Sequence, residues 1–204
     1  MKWLFICSIL FAMVFTACAE DQGDQDAHRF KKAVFAGGCF WCMEPAFEEI
    51  DGVKEVVSGY TGGRIENPSY EDVSAGETGH IESVQVTYDP EQVTYDQLLT
   101  VFWRQIDPTD ALGQFADRGQ QYKTAVFYAD DTEKTLAEQS REAIRNSGKY
   151  HGEIVTQIMP STPFYPAEQY HQDYYKKNPQ RYKMYRTHSG RTQYLKQIWG
   201  EEAH

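Results

Sequence analysis

Two thiols three residues apart, Cys39 and Cys42, are the side chains of this chain best suited to covalent chemistry, and they lie within Gly37-Gly38-Cys39-Phe40-Trp41-Cys42. The apolar run at 32–36 predicts a strand leading into them. The residues from Cys42 to Phe47 predict a helix leading out, with Pro45 tolerable in its first turn. A thiol at such a junction sits near unpaired helix amides and the positive end of the helix dipole, and both favour thiolate. Cys39 is therefore the candidate nucleophile, and Cys42, one turn on, can reach its sulfur once Cys39 is oxidised. The same spacing also suits an inert disulfide in an oxidising compartment, whereas a structural zinc site lacks the second ligand pair it needs. Phe40 and Trp41, held between the thiols, are candidates for the wall of a pocket.

A second candidate is Glu82. In the strand pattern of 81–88 it shares parity with Val84, Val86 and Tyr88, while Ser83, Gln85 and Thr87 take the other face. A carboxyl on the apolar face holds its proton to higher pH, which is the condition for a general acid, although a strand-start glutamate can equally bend to solvent or pair with a base. Tyr70 lies in a long polar connection, and Asp117 and Tyr122 flank Gly119-Gln120-Gln121 ahead of another strand. Tyrosine hydroxyls can donate to a developing oxyanion, but in a chain with 14 tyrosines most are packing residues. His80 and His171 fit no triad or metal-ligand spacing and read as hydrogen-bonded structural histidines.

The elements that must hold these groups follow from periodicity and punctuation. Strands are expected at 53–60, 81–88, 122–129 and 153–159. Thr94-x-x-Gln97 and Asp130-x-x-Glu133 open two helices, the first with Leu98, Leu99, Phe102 and Ile106 on one face, the second stopped by Gly148. The connection 64–80 is long enough to be functional. The order through residue 129 is β-α-β-β-α-β, a ferredoxin-like split unit. The expected class is thus α+β, an α/β sandwich on an antiparallel or mixed sheet, with an extra helix and strand, a short helix at 166–177 and a coil-rich C-terminal tail wrapping the surface.

With 204 residues, 41% hydrophobic and 25% charged, the chain is an ordinary globular domain, and a net charge of −10 argues against non-specific nucleic-acid binding. The first residues are a separate object. Lys2, an apolar run from Trp3 to Phe15 and the small residues Thr16-Ala17-Cys18-Ala19 read as an export signal. Phe15-Thr16-Ala17-Cys18 resembles a bacterial lipobox with Phe in place of the usual Leu, and an ordinary cleavage site is the alternative. The expected organisation is a signal peptide at 1–17, a lipidated, flexible tether at 18–30 and one catalytic domain at 31–204. The protein would be extracytoplasmic and anchored at Cys18, leaving Cys39 and Cys42 as the free thiols of the mature domain.

The motifs around these residues resemble the A-type peptide methionine sulfoxide reductases. Those carrying the likeness are Gly37-x-Cys39-Phe40-Trp41, Asp51-Gly52-Val53, Gly59-Tyr60-Thr61-Gly62-Gly63, Asn67-Pro68-Ser69-Tyr70, Gly79-His80-Ile81-Glu82, Gln121-Tyr122-Lys123-Thr124-Ala125 and Phe164-Tyr165-Pro166-Ala167-Glu168-Gln169-Tyr170-His171-Gln172. The likeness implies reduction of methionine-S-sulfoxide and repair of oxidised proteins. It implies Cys39 as the nucleophile at sulfur, Phe40 and Trp41 around the S-methyl group, and Glu82 as proton donor with Tyr70 and Tyr122 assisting. Asp117 shapes the site, and the Cys39 sulfenic acid is finally reduced through a thioredoxin-like donor, with dithiothreitol serving in vitro. No bound cofactor or metal is implied. Many members resolve the sulfenic acid with cysteines in a C-terminal tail, and no Cys follows Cys42 here, so resolution falls to Cys42 or to an external reductant.

Two other functions use the same residues. C-x-x-C alone would serve a thioredoxin-like thiol-disulfide oxidoreductase, which exchanges disulfides and ignores sulfoxide. A lipoprotein binding module with a structural Cys39–Cys42 bridge would keep its ligand after the reduced protein is alkylated.

Overall fold

The computed structural model describes residues 29–200. The signal, the lipidation site and most of the tether predicted from sequence lie outside the described residues. The last two tether residues are tied to the domain: Arg29 pairs with buried Asp89 at 2.7 Å and covers the Phe30 ring.

Strand β1 (Lys31–Gly37) enters the centre of a six-stranded sheet, and α1 (Phe40–Glu48) leaves it for β2 (Val53–Thr61). A connection containing α2 (Tyr70–Ser74) leads to β3 (Ile81–Tyr88), α3 (Tyr95–Trp103), a small hairpin of β4 (Gly113–Gln114) and β5 (Asp117–Arg118), a 3-10 turn at Gln120–Tyr122 and β6 (Thr124–Tyr128). Then follow α4 (Asp131–Asn146), β7 (Gln157–Pro160) and β8 (Tyr165–Pro166), and three helices end the chain: α5 (Tyr174–Lys177), α6 (Pro179–His188) and α7 (Arg191–Trp199). The sheet order is β7-β6-β1-β3-β2-β8, and every pair is antiparallel except β6 with β7. The four inner strands, β6-β1-β3-β2, are the split β-α-β arrangement expected from the element order, and β7, delivered by α4, makes the sheet mixed.

Side-chain alternation divides the sheet as the sequence suggests. Phe35 of β1, Val84, Val86 and Tyr88 of β3 and Val126 of β6 face the helices and pack on Phe47, Leu98, Leu99, Phe102 and Ile106. Ala36, Ile81, Ala125 and Phe127 make a smaller cluster on the opposite face. The Thr94 capping box forms in full, whereas Glu133 caps Ala129 N–H rather than that of Asp130.

Four expectations are corrected. Helix α1 begins at Phe40, two residues early, so Pro45 lies in its second turn; its N-terminus is closed by the distant Glu82 carboxyl, which accepts from Phe40 N–H at 3.1 Å, a cap no local pattern encodes. The connection 64–80 contains α2, held by a Ser69/Asp72 capping box. The segment at 166–177 is helical only from Tyr174, because Tyr165 and Pro166 pair with Tyr60 and Gly59 at the sheet edge, where a missing N–H is tolerated. The tail is not coil-rich: α6 and α7 occupy it, and Arg191 and Leu195 of α7 are buried.

Gly37 and Gly38 set the approach to Cys39. Gly38 has φ of 80°, and a Cβ there would lie 2.5 Å from Gln114 Cβ. Gly38→Ala is expected to cost about 1–2 kcal/mol for the left-handed conformation alone, plus the overlap with Gln114. Urea unfolding measures it, and an unchanged midpoint with unchanged activity would contradict this role for Gly38.

Candidate active site

Cys39 is the N-cap of α1 and Cys42 lies at its third position, with Cys42 N–H donating to Cys39 O at 3.0 Å. Both are free, buried thiols, and the Cys39 thiol donates a hydrogen bond to the Cys42 sulfur. The charge of the pair settles differently from the sequence expectation. Cys42 is lowered to about 6, first by that hydrogen bond and then by Arg191 and Arg186, against the effect of burial. Cys39 is pushed well up, first by burial, then by sharing its proton with Cys42 and by the nearby Glu82 and Asp117. The helix start favours one negative charge on the pair; the Cys39 hydrogen bond and then the arginines favour it on Cys42, and Cys39 holds the remaining proton.

Glu82 projects from β3 toward Cys39 on the helix-facing side and is 2% exposed. Burial raises its carboxyl to about 8, opposed by the hydrogen bond from Phe40 N–H and reinforced by Asp117 and Cys42. The acid expected from strand parity is therefore protonated at neutral pH. Tyr70, from the start of α2, and Tyr122, from the 3-10 turn, lie beside each other. Both are shifted upward, mainly by burial and then by Glu82, with Cys39 contributing to each. They remain phenols able to donate. Asp117, on β5, is raised by burial and accepts from Tyr185 Oη at 2.5 Å.

The aromatic wall is built from both ends of the chain. Phe40 is fully buried and tilts against Tyr60 and His171, with ring centroids 5.9 and 5.0 Å away. Trp41 is partly exposed; it stacks on Tyr174 at 3.6 Å and meets the edge of Tyr185 at 5.9 Å. Its indole N–H donates to His171 Nδ1 at 3.0 Å, which places the His171 proton on Nε2 and fixes the indole plane. Glu168 holds the other side, accepting from Tyr60 Oη at 2.9 Å and Tyr70 N–H at 2.8 Å.

All eight residues singled out from sequence, Cys39, Cys42, Phe40, Trp41, Glu82, Tyr70, Tyr122 and Asp117, thus converge on the N-terminus of α1. His80 does not join them: its ring bonds to Gly63 N–H and Ile65 O, as a structural histidine does. His171 is structural in its bonding to Trp41, yet it lines the site. Sequence reasoning missed Tyr174, Tyr185, Arg186 and Arg191. The only signal available for them was a tail rich in Tyr and basic residues, without aliphatic periodicity. The carboxylates of Glu44, Glu48 and Asp173 lie close enough together to hold a cation, but Lys176 Nζ already bonds Glu48 and Asp173 at 2.6 and 2.8 Å.

A reduced thiol pair under a protonated carboxyl, walled by aromatic rings on a split β-α-β sheet, defines a thiol-dependent oxidoreductase whose substrate is an apolar group bearing a basic oxygen. The peptide methionine sulfoxide reductase profile matches residues 31–203. Peptide methionine sulfoxide reductase MsrA of Bacillus subtilis is 55% identical over 168 residues, covering 82% of this chain and 95% of the relative. That of Bacillus licheniformis is 52% identical over 176 residues, covering 86% and 97%. Among solved structures, reduced Mxr1 of Saccharomyces cerevisiae matches with a TM-score of 0.70 and 33% identity over 75% of this chain and 88% of that one. Methionine sulfoxide reductase A of Corynebacterium diphtheriae matches with 0.68 and 35% over 74% and 76%. Mxr1 in complex with Trx2 matches with 0.51 and 26% over 73% and 87%. The chain belongs to the peptide methionine sulfoxide reductase family, and it is an enzyme that reduces methionine sulfoxide to methionine by cysteine chemistry.

Proposed function

We propose that Cys39 attacks the sulfur of methionine-S-sulfoxide while Glu82, with Tyr70 and Tyr122, donates to its oxygen, and that Cys42 resolves the resulting sulfenic acid. The observation carrying this reading is the division of labour around the thiols. Cys39 stands at the N-cap beside Glu82, with Tyr70 and Tyr122 close enough to feel a charge there, whereas the cations bear on Cys42. Transfer of the shared proton from Cys39 to Cys42 makes Cys39 the thiolate. The oxygen then passes from methionine to Cys39, giving methionine and Cys39–SOH. Phe40 and Trp41 receive the S-methyl group, and Asp117 supports the site through Tyr185.

A thioredoxin-like dithiol is the proposed electron donor, in keeping with the complex of the related Mxr1 with Trx2. Disulfide exchange as the primary activity rested on C-x-x-C alone, and the family does not favour it. The apolar N-terminal run and Cys18 support an exported lipoprotein acting on oxidised proteins outside the cytoplasm.

Cys42→Ser tests the assignment. The variant should release one methionine per enzyme in a single turnover and accumulate one added oxygen on Cys39. Thioredoxin-supported cycling should fall more than about tenfold while dithiothreitol still sustains turnover. Undiminished thioredoxin-driven turnover would show that the reductant attacks Cys39 directly and that Cys42 is a packing residue.

A further inference from the structure

The C-terminal helices bring two guanidinium groups to the backbone that carries the thiols. Arg191, 1% exposed, donates from Nη1 to Gln105 O at 2.5 Å and from Nη2 to Gly37 O at 2.9 Å, with its guanidinium carbon 4.7 Å from the Phe115 ring centroid. Arg186 donates from Nη1 to Cys42 O at 3.3 Å and from Nη2 to Gln105 Oε1 at 3.2 Å. Among the described residues neither is in a salt bridge with a carboxylate. A buried cation bonded only to neutral acceptors is costly unless negative charge lies close by.

Cys42 is the group beside them that can carry that charge, and several elements face it. Cys39 faces it from the N-cap, Glu82 from β3, Asp117 from β5, Tyr182, Tyr185 and Arg186 from α6, and Arg191 from α7. Glu44, on Cys42's own helix, turns away to Ser58 and Asp173 N–H. Asp117 takes part of the cationic field, but it is itself raised by burial and bound by Tyr185. We propose that Arg191 and Arg186 are positioning residues that hold Cys42 as the thiolate that closes on the Cys39 sulfenic acid, so that the tail contributes charge to resolution where it has no cysteine to contribute.

This rests on the reading of Cys42 as the resolving thiol. In the step concerned, Cys42 gives up the proton it took from Cys39, its thiolate attacks the Cys39 sulfur, the S–S bond forms as the S–O bond breaks, and that proton leaves with the departing hydroxide as water. No other oxidant or reductant enters. Once Cys39 is oxidised it no longer offers a thiol donor to Cys42, and the two guanidiniums remain as the cations that favour loss of the proton Cys42 received. The lowered pKa of Cys42, to which both arginines contribute after the hydrogen bond from Cys39, agrees with this arrangement.

Arg191→Met, Arg191→Lys and Arg186→Gln test it in the full chain. The Cys42 midpoint is read as the 240-nm thiolate absorbance difference between Cys39→Ser and Cys39→Ser/Cys42→Ser forms, which subtracts Cys7 and Cys18. Arg191→Met and Arg186→Gln should each raise it by about one pH unit or more, and Arg191→Lys should keep most of the wild-type value. After one equivalent of sulfoxide, loss of two hydrogens by intact mass should be about tenfold slower at pH 7 and restored at pH 9, a recovery that a purely structural defect would not show. Unmoved midpoints, or a slowing equal at both pH values, overturn the proposal. Should Arg191→Met fail to fold, the half-buried Arg186→Gln decides it. Thioredoxin cycling preserved in Cys42→Ser would instead remove the Cys42 reading beneath it.

Discussion

Cys39→Ser should reduce methionine sulfoxide turnover to background, a loss on the order of 10⁴ or more, with either dithiothreitol or thioredoxin as reductant. Serine keeps the volume and a hydroxyl at the N-cap, so α1, which takes its cap from Glu82, should form as before. What is lost is a polarisable thiolate and the sulfur that must accept oxygen, and a hydroxyl can do neither. This prediction discriminates because Cys42 is the more acidic thiol of the pair. If acidity alone chose the nucleophile, Cys42 would attack and Cys39→Ser would retain methionine release in a single turnover. Reaction at a sulfoxide also needs a proton delivered to its oxygen, and the donors gather around Cys39. Methionine counted per enzyme after one equivalent of substrate gives the answer, and release near one equivalent from Cys39→Ser would transfer the nucleophile to Cys42.

What could be read in the chain was what is encoded locally. The thiol pair follows from three-residue spacing at a strand-to-helix seam, and the orientation of Glu82 from the alternation of Val84, Val86 and Tyr88. The β6-β1-β3-β2 core follows from element order. What could not be read depends on contacts between distant parts. Helix α1 starts early because a carboxyl from β3 caps it. The tail is helical although α6 buries no residue fully; Tyr185 and Arg186 reach inward by their polar tips, to Asp117 and to Cys42 O and Gln105. A rule keyed to aliphatic periodicity sees nothing there. The distribution of charge within the thiol pair was hidden for the same reason, since the cations that contribute to it arrive from the far end of the sequence.

Glu82→Gln should slow the first methionine release by about 10²- to 10⁴-fold at pH 7, the usual worth of a positioned general acid. The amide keeps the shape, can still accept from Phe40 N–H, and can donate a hydrogen bond to the sulfoxide oxygen, so the variant removes the transferable proton and little else. The sign of the pH dependence follows from the cause of the shift. Burial holds the carboxyl protonated up to about 8, so below that pH the wild type carries its acid and above it the acid is progressively lost. Glutamine has no proton to lose. Any effect of pH on the thiols is common to both proteins, so the ratio of wild-type to variant single-turnover rates isolates Glu82: it should be flat below about pH 8 and fall about tenfold per pH unit above it. A loss smaller than tenfold at pH 7 would make Glu82 a cap for α1 that positions Cys39 rather than an acid. A large loss with a ratio independent of pH up to 10 would mean that the sulfoxide oxygen takes its proton elsewhere, with the Tyr70 and Tyr122 phenols then the candidate donors.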